Sequence, residues 1–138
     1  MENKTTVINR RDKTAKYDVY VGSPMKKDPG YYEQLTWGKD GKWGNLYKYG
    51  DIYSILWKHL VKQLLIDSDR VKDIPELRGK VLGCWCVSKT DNRCHGNSLA
   101  YLADHPDTLN AAISGSMIPE EIAKEIFEYY GWAIPTSL

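Results

Sequence analysis

Cysteine and phenylalanine are scarce in this chain of 138 residues, which contains three of the first and one of the second. The three cysteines, Cys84, Cys86 and Cys94, all lie in one short stretch. An odd number of clustered cysteines is not typical of a secreted disulfide framework, and it favours reduced thiols or metal ligation. Ten Tyr and five Trp supply the aromatic character instead. Their rings carry a polar edge, which suits half-exposed pockets and base stacking as well as partnered core positions.

Long apolar runs are also missing. None approaches the roughly 18 to 20 residues that cross a bilayer, and the first residues, Met1 to Lys4, lead into polar sequence rather than into the apolar core of a signal peptide. We therefore expect a cytoplasmic protein without membrane partners. The length is that of one ordinary domain, so residues 1–138 are predicted to share one core.

A strong excess of one charge is absent, since the formal net charge is +1. The distribution is uneven: residues 1–102 carry 18 Lys and Arg against 12 Asp and Glu, and residues 103–138 carry one against six. A basic body attracts phosphates, and an acidic tail either packs against that body or keeps nucleic acid from part of it. Charged side chains on ordinary solvent-exposed faces would give the same uneven counts, so nucleic acid is not the favoured partner.

The dinucleotide-binding fingerprint G-x-G-x-x-G is absent, which argues against redox chemistry on a nicotinamide cofactor. The apolar pattern predicts strands alternating with helices, which is typical of βαβ units around a mostly parallel sheet. The fold class is thus a small α/β domain, Rossmann-like, with flanking helices and an extra C-terminal helix. Predicted strands are Thr5–Asn9, Tyr17–Val21 and Lys80–Cys86, and predicted helices are 50–66, 97 or 98 to 103, and 119–130.

The cysteines give the sharpest chemical hypothesis. In a regular strand Cys84 and Cys86 point to the same face, and Cys94 and His95 return towards them from the next loop. Three thiols and one imidazole match a tetrahedral zinc site, although the spacing C-x-C-x7-C-H is not that of a zinc knuckle. Alternatively, Cys84 and Cys86 are small hydrophobic residues of a central strand.

The run Cys94-His95-Gly96-Asn97 has a second interpretation, because it is expected at the start of a helix. A helix N-terminus attracts anions, and a glycine there lets a phosphate approach. The same position lowers the pKa of a thiol, which makes Cys94 and His95 the candidate catalytic pair.

Five further residues are candidates for ligand binding. Gly22 and Ser23 follow a predicted strand whose end should share an edge with the cysteine strand. Trp43 and Asn45 lie in a long glycine-rich segment that is predicted to close over this edge as a lid, with a buried anchor as the alternative reading of Trp43. Arg10 ends the first strand and is a candidate phosphate ligand.

Several of these motifs resemble a family of phages and microbes, domain of unknown function 4326, over residues 9–103. Residues 104–138 lie outside the resemblance, as a C-terminal helical extension. Asn97 stands where an aspartate usually follows Cys-His-Gly, and Leu46 where a proline usually follows Trp-Gly-Asn. The resemblance implies a compact α/β domain without a settled activity. The matching pieces are Asn9-Arg10, Tyr17–Gly22 with Pro24, Trp43-Gly44-Asn45, Leu77–Lys80 with Leu82–Cys86, and Cys94-His95-Gly96 with Leu99.

The leading functional hypothesis is binding of a phosphorylated nucleoside or nucleotide at the carboxyl edge of the sheet, with processing of that ligand left open. One alternative is a non-enzymatic module in which a zinc ion staples the cysteine loop for contact with nucleic acid or protein. Another, suggested only by the resemblance, is a phage-encoded protein that sequesters a nucleotide signal.

Overall fold

A computed structural model describes residues 4–10, 16–22, 31–36, 41–45, 47, 50–66, 68–84 and 91–135. Three short strands form one parallel sheet in the order β1-β3-β2, so the last strand in sequence is central. Thr6 pairs with Val81, and Val19 pairs with Leu82. The prediction of a parallel sheet within an α/β chain is confirmed. The strands are β1 (Thr6–Asn9), β2 (Val19–Tyr20) and β3 (Val81–Cys84).

Helices make up most of the remaining described chain. Their bounds are α1 (Tyr31–Leu35), α2 (Ile52–Lys58), α3 (Ser68–Val71), α4 (His95–Asp104), α5 (Pro106–Ser114) and α6 (Pro119–Tyr130), with a π-helical segment at His59–Leu65 and a 3₁₀ turn at Ile74–Leu77.

The sheet has two unlike faces. Along β3, Leu82 and Cys84 point to one face and Gly83 to the other, because side chains alternate. Helix α4 packs on β1 and β3. The opposite face is covered at Gly83 by the ring of Tyr17, since a Cβ added to Gly83 would lie 2.7 Å from Tyr17 Cγ. Because Gly83 has no side chain, the ring of Tyr17 can pack directly on the sheet.

The long central helix differs from its prediction. Asp51 caps α2 by accepting a hydrogen bond from the Ser54 amide at 3.2 Å. Beyond Lys58 the chain continues as a π-helix, and the Ile66 amide donates to the Val61 carbonyl, five residues back, at 3.2 Å. The predicted limits of about 50 to 66 are right, but one α-helix throughout is wrong.

The chain after Asp104 contains two helices, where the sequence predicted one. The His105-Pro106 pair ends α4 as expected, but Pro106 also begins α5, because proline suits the first helical position. Helix α6 has the predicted start and ends at Gly131, whose φ is +72°. Its buried residues Ile122, Ile126 and Phe127 belong to the same core cluster as Leu82 and Leu99.

Candidate functional site

The candidate site lies at the carboxyl edge of the sheet, where β3 gives way to the loop before α4. Cys94 occupies the N-cap of α4, and its Sγ accepts a hydrogen bond from the Gly96 amide at 3.4 Å. The helix therefore begins at His95, two or three residues earlier than the sequence predicted. Cys94, His95 and Gly96 are all buried.

Two of the three cysteines meet at this edge. The Sγ atoms of Cys84 and Cys94 lie 2.9 Å apart, and both side chains are fully buried. Cys86 lies outside the described residues. Among the described residues, no group of three or more His, Cys, Asp or Glu side chains is arranged to hold a metal ion. The four-ligand zinc site thus stays a prediction, and the described part of the chain adds no support to it.

The ring of His95 does not face the sulfurs as a ligand would. Its Nε2–H donates to the carbonyl of Val21 at 2.6 Å, just beyond β2. Burial lowers the pKa of His95, and hydrogen bonds to the backbone of Val21 and Trp43 partly oppose that shift. His95 therefore connects the end of β2 with the segment around Trp43. The candidate pair Cys94 and His95 is enclosed and already bonded, and its catalytic role stays a prediction.

The buried ring of His59 packs against His95. The two ring centroids are 5.0 Å apart at an interplanar angle of 66°. His59 is 1% exposed, and its Nδ1 has no hydrogen-bond partner within the described ranges. Burial, and then the nearby charges of His95 and Arg70, lower the pKa of His59 well below its ordinary value. The sequence carried no signal for this pair because the contact joins two helical segments that are distant in sequence.

Two candidate ligand residues, Gly96 and Trp43, pack inside the protein. Gly96 serves packing: a Cβ added there would lie 3.1 Å from Val7 Cγ1 and 3.5 Å from Val21 Cγ2, so the bare backbone lets α4 approach the sheet. Trp43 is 3% exposed and belongs to the core cluster. The lid prediction is therefore wrong, because a lid must leave the core to open, and the alternative of a buried anchor is confirmed.

Two other candidate ligand residues, Arg10 and Gly22, both lie beside the ring of Tyr20. The guanidinium of Arg10 lies 5.5 Å from the ring centroid of Tyr17 and 5.2 Å from that of Tyr20. The ring of Tyr20 also folds against Gly22, where an added Cβ would lie 2.6 Å from its hydroxyl oxygen. Ser23 lies outside the described residues. Arg10 is thus held on an aromatic pair on the face of the sheet opposite α4.

Asn45 and Asn97 both close turns in the chain. Asn45 Oδ1 accepts from the Tyr47 amide at 2.8 Å. Asn97 Nδ2 donates to the Asn92 carbonyl at 2.6 Å, and the Asn97 carbonyl accepts from the Tyr130 hydroxyl at 2.8 Å. Asn97 therefore ties the loop before α4 to the end of α6.

A cavity of about 460 Å³ opens beside this loop. Arg93 donates two hydrogen bonds of 3.0 Å, from Nε and Nη2, to the carboxylate of Asp91. The Arg93 guanidinium also lies 5.8 Å from the ring centroid of Tyr53. Hydrogen bonds from Arg93 lower the pKa of Asp91 to about 2. The lining residues are Tyr53, Asp91, Asn92, Arg93, Tyr130, Gly131 and Trp132.

The wall of this cavity, formed by the end of α6, is aromatic. The rings of Tyr130 and Trp132 stack with centroids 4.7 Å apart and an interplanar angle of 24°. Trp132 Nε1–H donates to Asn92 Oδ1 at 3.0 Å. Sequence analysis did not select any of the residues that line this cavity. The available signal was a Tyr-Tyr-Gly-Trp run at the end of a predicted helix.

The fold and this edge define a small α/β protein in which a Cys-His-Gly motif opens the helix packed on a parallel sheet. The chain belongs to the family described as Domain of unknown function (DUF4326), which matches residues 7–105. It is similar to an uncharacterised protein of Acanthamoeba polyphaga mimivirus, with 33% identity over 103 residues that cover 68% of this chain and 72% of the relative. No solved structure matches the chain significantly.

The resemblance predicted from the sequence is thereby confirmed, and the relative comes from a virus. Across the described ranges, none of the helices has the length and apolar character needed to cross a membrane.

Proposed function

We propose that the protein binds a phosphorylated nucleoside or nucleotide in the cavity beside the Asp91–Arg93 loop. The observation that carries this proposal is the combination of a guanidinium, an amide and aromatic rings around one opening of about 460 Å³. That volume is within the range of small-molecule sites. Arginine suits a phosphate, and aromatic rings suit a base.

The pairing of Arg93 with Asp91 supports the anion half of the proposal. Arg93 presents two donors in parallel to a carboxylate, which is the same fork that recognises a phosphate. The Arg93 and Asp91 side chains are 41% and 36% exposed. An exposed pair contributes little stability, because water screens it, so a doubly charged phosphate competes well for the guanidinium.

The position of the cavity supports the same conclusion. The Asp91–Arg93 loop follows β3 and precedes α4, and ligands of open parallel sheets bind outside the carboxyl ends of the strands. We infer that the three-stranded sheet is a reduced Rossmann-like sheet. Its parallel order, with β3 between β1 and β2, is what supports this inference.

Calorimetric titration tests the proposal with the four ribonucleoside monophosphates, the corresponding nucleosides and inorganic phosphate. We expect at least one nucleotide to bind and to raise the melting temperature, since a ligand at 100 times its Kd adds roughly 2.7 kcal/mol to the stability. Arg93→Gln should lower the affinity for that nucleotide about tenfold or more. Asp91→Asn should raise the affinity, because the substitution releases the guanidinium and removes a competing charge.

Lys62→Gln is the matched control, since Lys62 is exposed and lies in the π-helical segment away from the lining residues. It removes one positive charge and should leave the affinity unchanged. If no nucleotide binds, or if Arg93→Gln and Asp91→Asn both leave the affinity unchanged, the proposal is wrong.

A further inference from the structure

A second cavity lies at the other end of the sheet. It has a volume of about 330 Å³, and its residues surround the beginning of β1, the beginning of β3 and the end of α4. Its lining differs from that of the cavity beside the Asp91–Arg93 loop, the carboxyl-edge cavity, although Tyr130 contributes to both. The lining residues are Lys4, Thr5, Arg78, Ala100, Tyr101, Asp104, His105, Tyr129 and Tyr130.

The floor of this amino-edge cavity is built from hydrogen bonds between distant segments. Asp104 Oδ2 accepts from the Thr5 amide at 2.9 Å, and Oδ1 accepts from the Thr5 hydroxyl at 2.6 Å. Thr5 Oγ1 in turn accepts from the Gly79 amide at 2.9 Å. Each carboxylate oxygen of Asp104 thus has a protein donor, and the floor fixes β1, β3 and α4 relative to one another.

One wall of the amino-edge cavity consists of stacked rings. Tyr101 and His105 lie face to face, with centroids 3.8 Å apart and an interplanar angle of 11°. The Tyr101 hydroxyl donates to Glu125 Oε2 at 2.8 Å, which holds the stack against α6. Tyr129 meets both rings edge-on and is itself 58% exposed. A large ring exposed beside a cavity offers a face for stacking.

The orientation of the His105 ring is fixed as well. His105 Nδ1 lies 2.7 Å from the Tyr101 carbonyl, and a carbonyl can only accept, so Nδ1 carries the proton. In the neutral ring Nε2 is then a hydrogen-bond acceptor. The wall therefore offers stacking surface together with an acceptor for an N–H or amino group.

The rim of the amino-edge cavity is positive. Lys4 and Arg78 are both exposed, while the carboxylate of Asp104 accepts two hydrogen bonds from Thr5. Among the described lining residues, two cations and one carboxylate favour an anionic ligand. The volume is near the lower limit for small-molecule sites, which suits a compact ligand rather than a dinucleotide.

From this arrangement we propose that the amino-edge cavity is a second ligand site, which binds a planar aromatic ring bearing one anionic group. The ring lies against Tyr129 and the Tyr101–His105 stack, and the anion faces Lys4 and Arg78. Tyr129 and Tyr130 lie beyond the residues that match the family, so this site is a property of the extended chain. It does not depend on the nucleotide proposed for the carboxyl edge.

The test uses two probes, adenosine 5′-monophosphate and 4-aminobenzoate, whose anions are a phosphate and a carboxylate. Each is titrated into the full chain at low ionic strength, with adenosine, aniline and inorganic phosphate as fragments. We expect at least one probe to bind more tightly than its fragments, and the stronger of the two identifies the anion. Tyr129→Leu should lower the affinity for that probe roughly fivefold or more, as loss of a stacking ring does. Arg78→Gln should lower the same affinity by a similar factor.

Two controls separate this site from the rest of the molecule. Tyr32→Leu removes a ring that is 82% exposed elsewhere on the chain, and Arg93→Gln removes the guanidinium of the carboxyl-edge cavity. Both should retain the parent affinity for the amino-edge ligand. The proposal is overturned if neither probe binds, if a fragment binds as tightly as the whole probe, or if Arg93→Gln abolishes binding that Tyr129→Leu leaves intact.

Discussion

Trp43 is a core residue in a segment whose composition is that of an exposed loop. Lys42, its neighbour, bonds Asp73 at 2.8 Å and Glu76 at 3.1 Å, and its Nζ lies 5.2 Å from the centroid of the Trp43 ring. Gln63 Nε2 donates to the Gly44 carbonyl at 2.7 Å on the other side. These contacts hold the 41–45 segment against the helices, so the indole is an anchor.

Replacement of this anchor should cost stability. We expect Trp43→Ala to lower the free energy of unfolding by about 3 to 5 kcal/mol, as large-to-small changes of buried aromatic residues do. Urea unfolding followed by circular dichroism measures the loss. Tyr32→Ala, at a ring that is 82% exposed, is the control and should change the value by no more than about 0.5 kcal/mol. A Trp43→Ala variant as stable as the parent would restore the lid hypothesis.

The sequence located the segment where the sheet hands over to α4, but it did not predict how the residues of that segment pack. Cys94 and Gly96 do lie where a helix begins at the carboxyl edge. Burial decides their role, and burial depends on segments far away in sequence, such as Val7 and Val21 against Gly96. Spacing within one motif carries no information about such partners.

The π-helical segment is the element that brings two histidines together. His59 begins the segment and is enclosed with His95. Burial, the largest cause in both cases, lowers the pKa of each ring, so the folded protein favours both in the neutral form. A π-helical turn is often associated with a functional position, and here it places beside the start of α4 a ring nitrogen that has no hydrogen-bond partner among the described residues.

Acid should therefore destabilise the fold. Above about pH 6.5 the rings are neutral in both the folded and the unfolded chain, so they do not make the free energy of unfolding depend on pH. As the pH falls below that value, the unfolded chain binds protons that the folded chain resists, and each such proton lowers the stability by up to about 1.4 kcal/mol per pH unit.

Urea unfolding at pH 7.5, 6.0 and 5.0 measures this slope. His59→Leu keeps an apolar group in the buried position and removes one titrating ring, so its stability should fall less steeply with acid than that of the parent. Equal slopes for parent and variant would contradict the assignment of the pH dependence to His59.

Elements with regular patterns could be predicted, and those created by packing could not. The β-branched runs identified β1 and β2, and the Pro-Glu-Glu start and the following glycine identified α6. The π-helical segment has the same apolar spacing as an α-helix, so periodicity cannot separate them. Helix α5 was missed because Pro106 was interpreted only as the end of α4, although proline also suits a first helical position.

The acidic C-terminal extension is part of the structural core of the whole molecule. Ile122, Ala123, Ile126 and Phe127 have no exposed surface, and Trp132 is 5% exposed. The Phe127 ring meets Trp57 of α2 edge-on at 5.3 Å. The family-matched region, residues 7–105, thus shares its core with the residues that follow it.

A chain shortened to residues 1–105 should consequently not unfold cooperatively, because removal of α5 and α6 exposes the apolar surface that they cover. Thermal unfolding followed by circular dichroism, together with the dispersion of amide proton shifts, checks this. Two substitutions in the full chain serve as a comparison. Phe127→Ala should lower the free energy of unfolding by about 3 to 5 kcal/mol, and Glu128→Ala, at an exposed position, should change it little. Cooperative unfolding of the shortened chain would show that the extension is dispensable.

The central position of β3 has a consequence for how the protein is made. Both partners of β3 precede it in the chain, Thr6 pairing with Val81 and Val19 with Leu82. Synthesis runs from the N-terminus, and contacts between distant residues are slow to form because a long loop must close first. On the ribosome β1 and β2 are therefore translated long before the strand that joins them. This strand pairing becomes available only after Cys84 has emerged, and the core closes after α6 has followed.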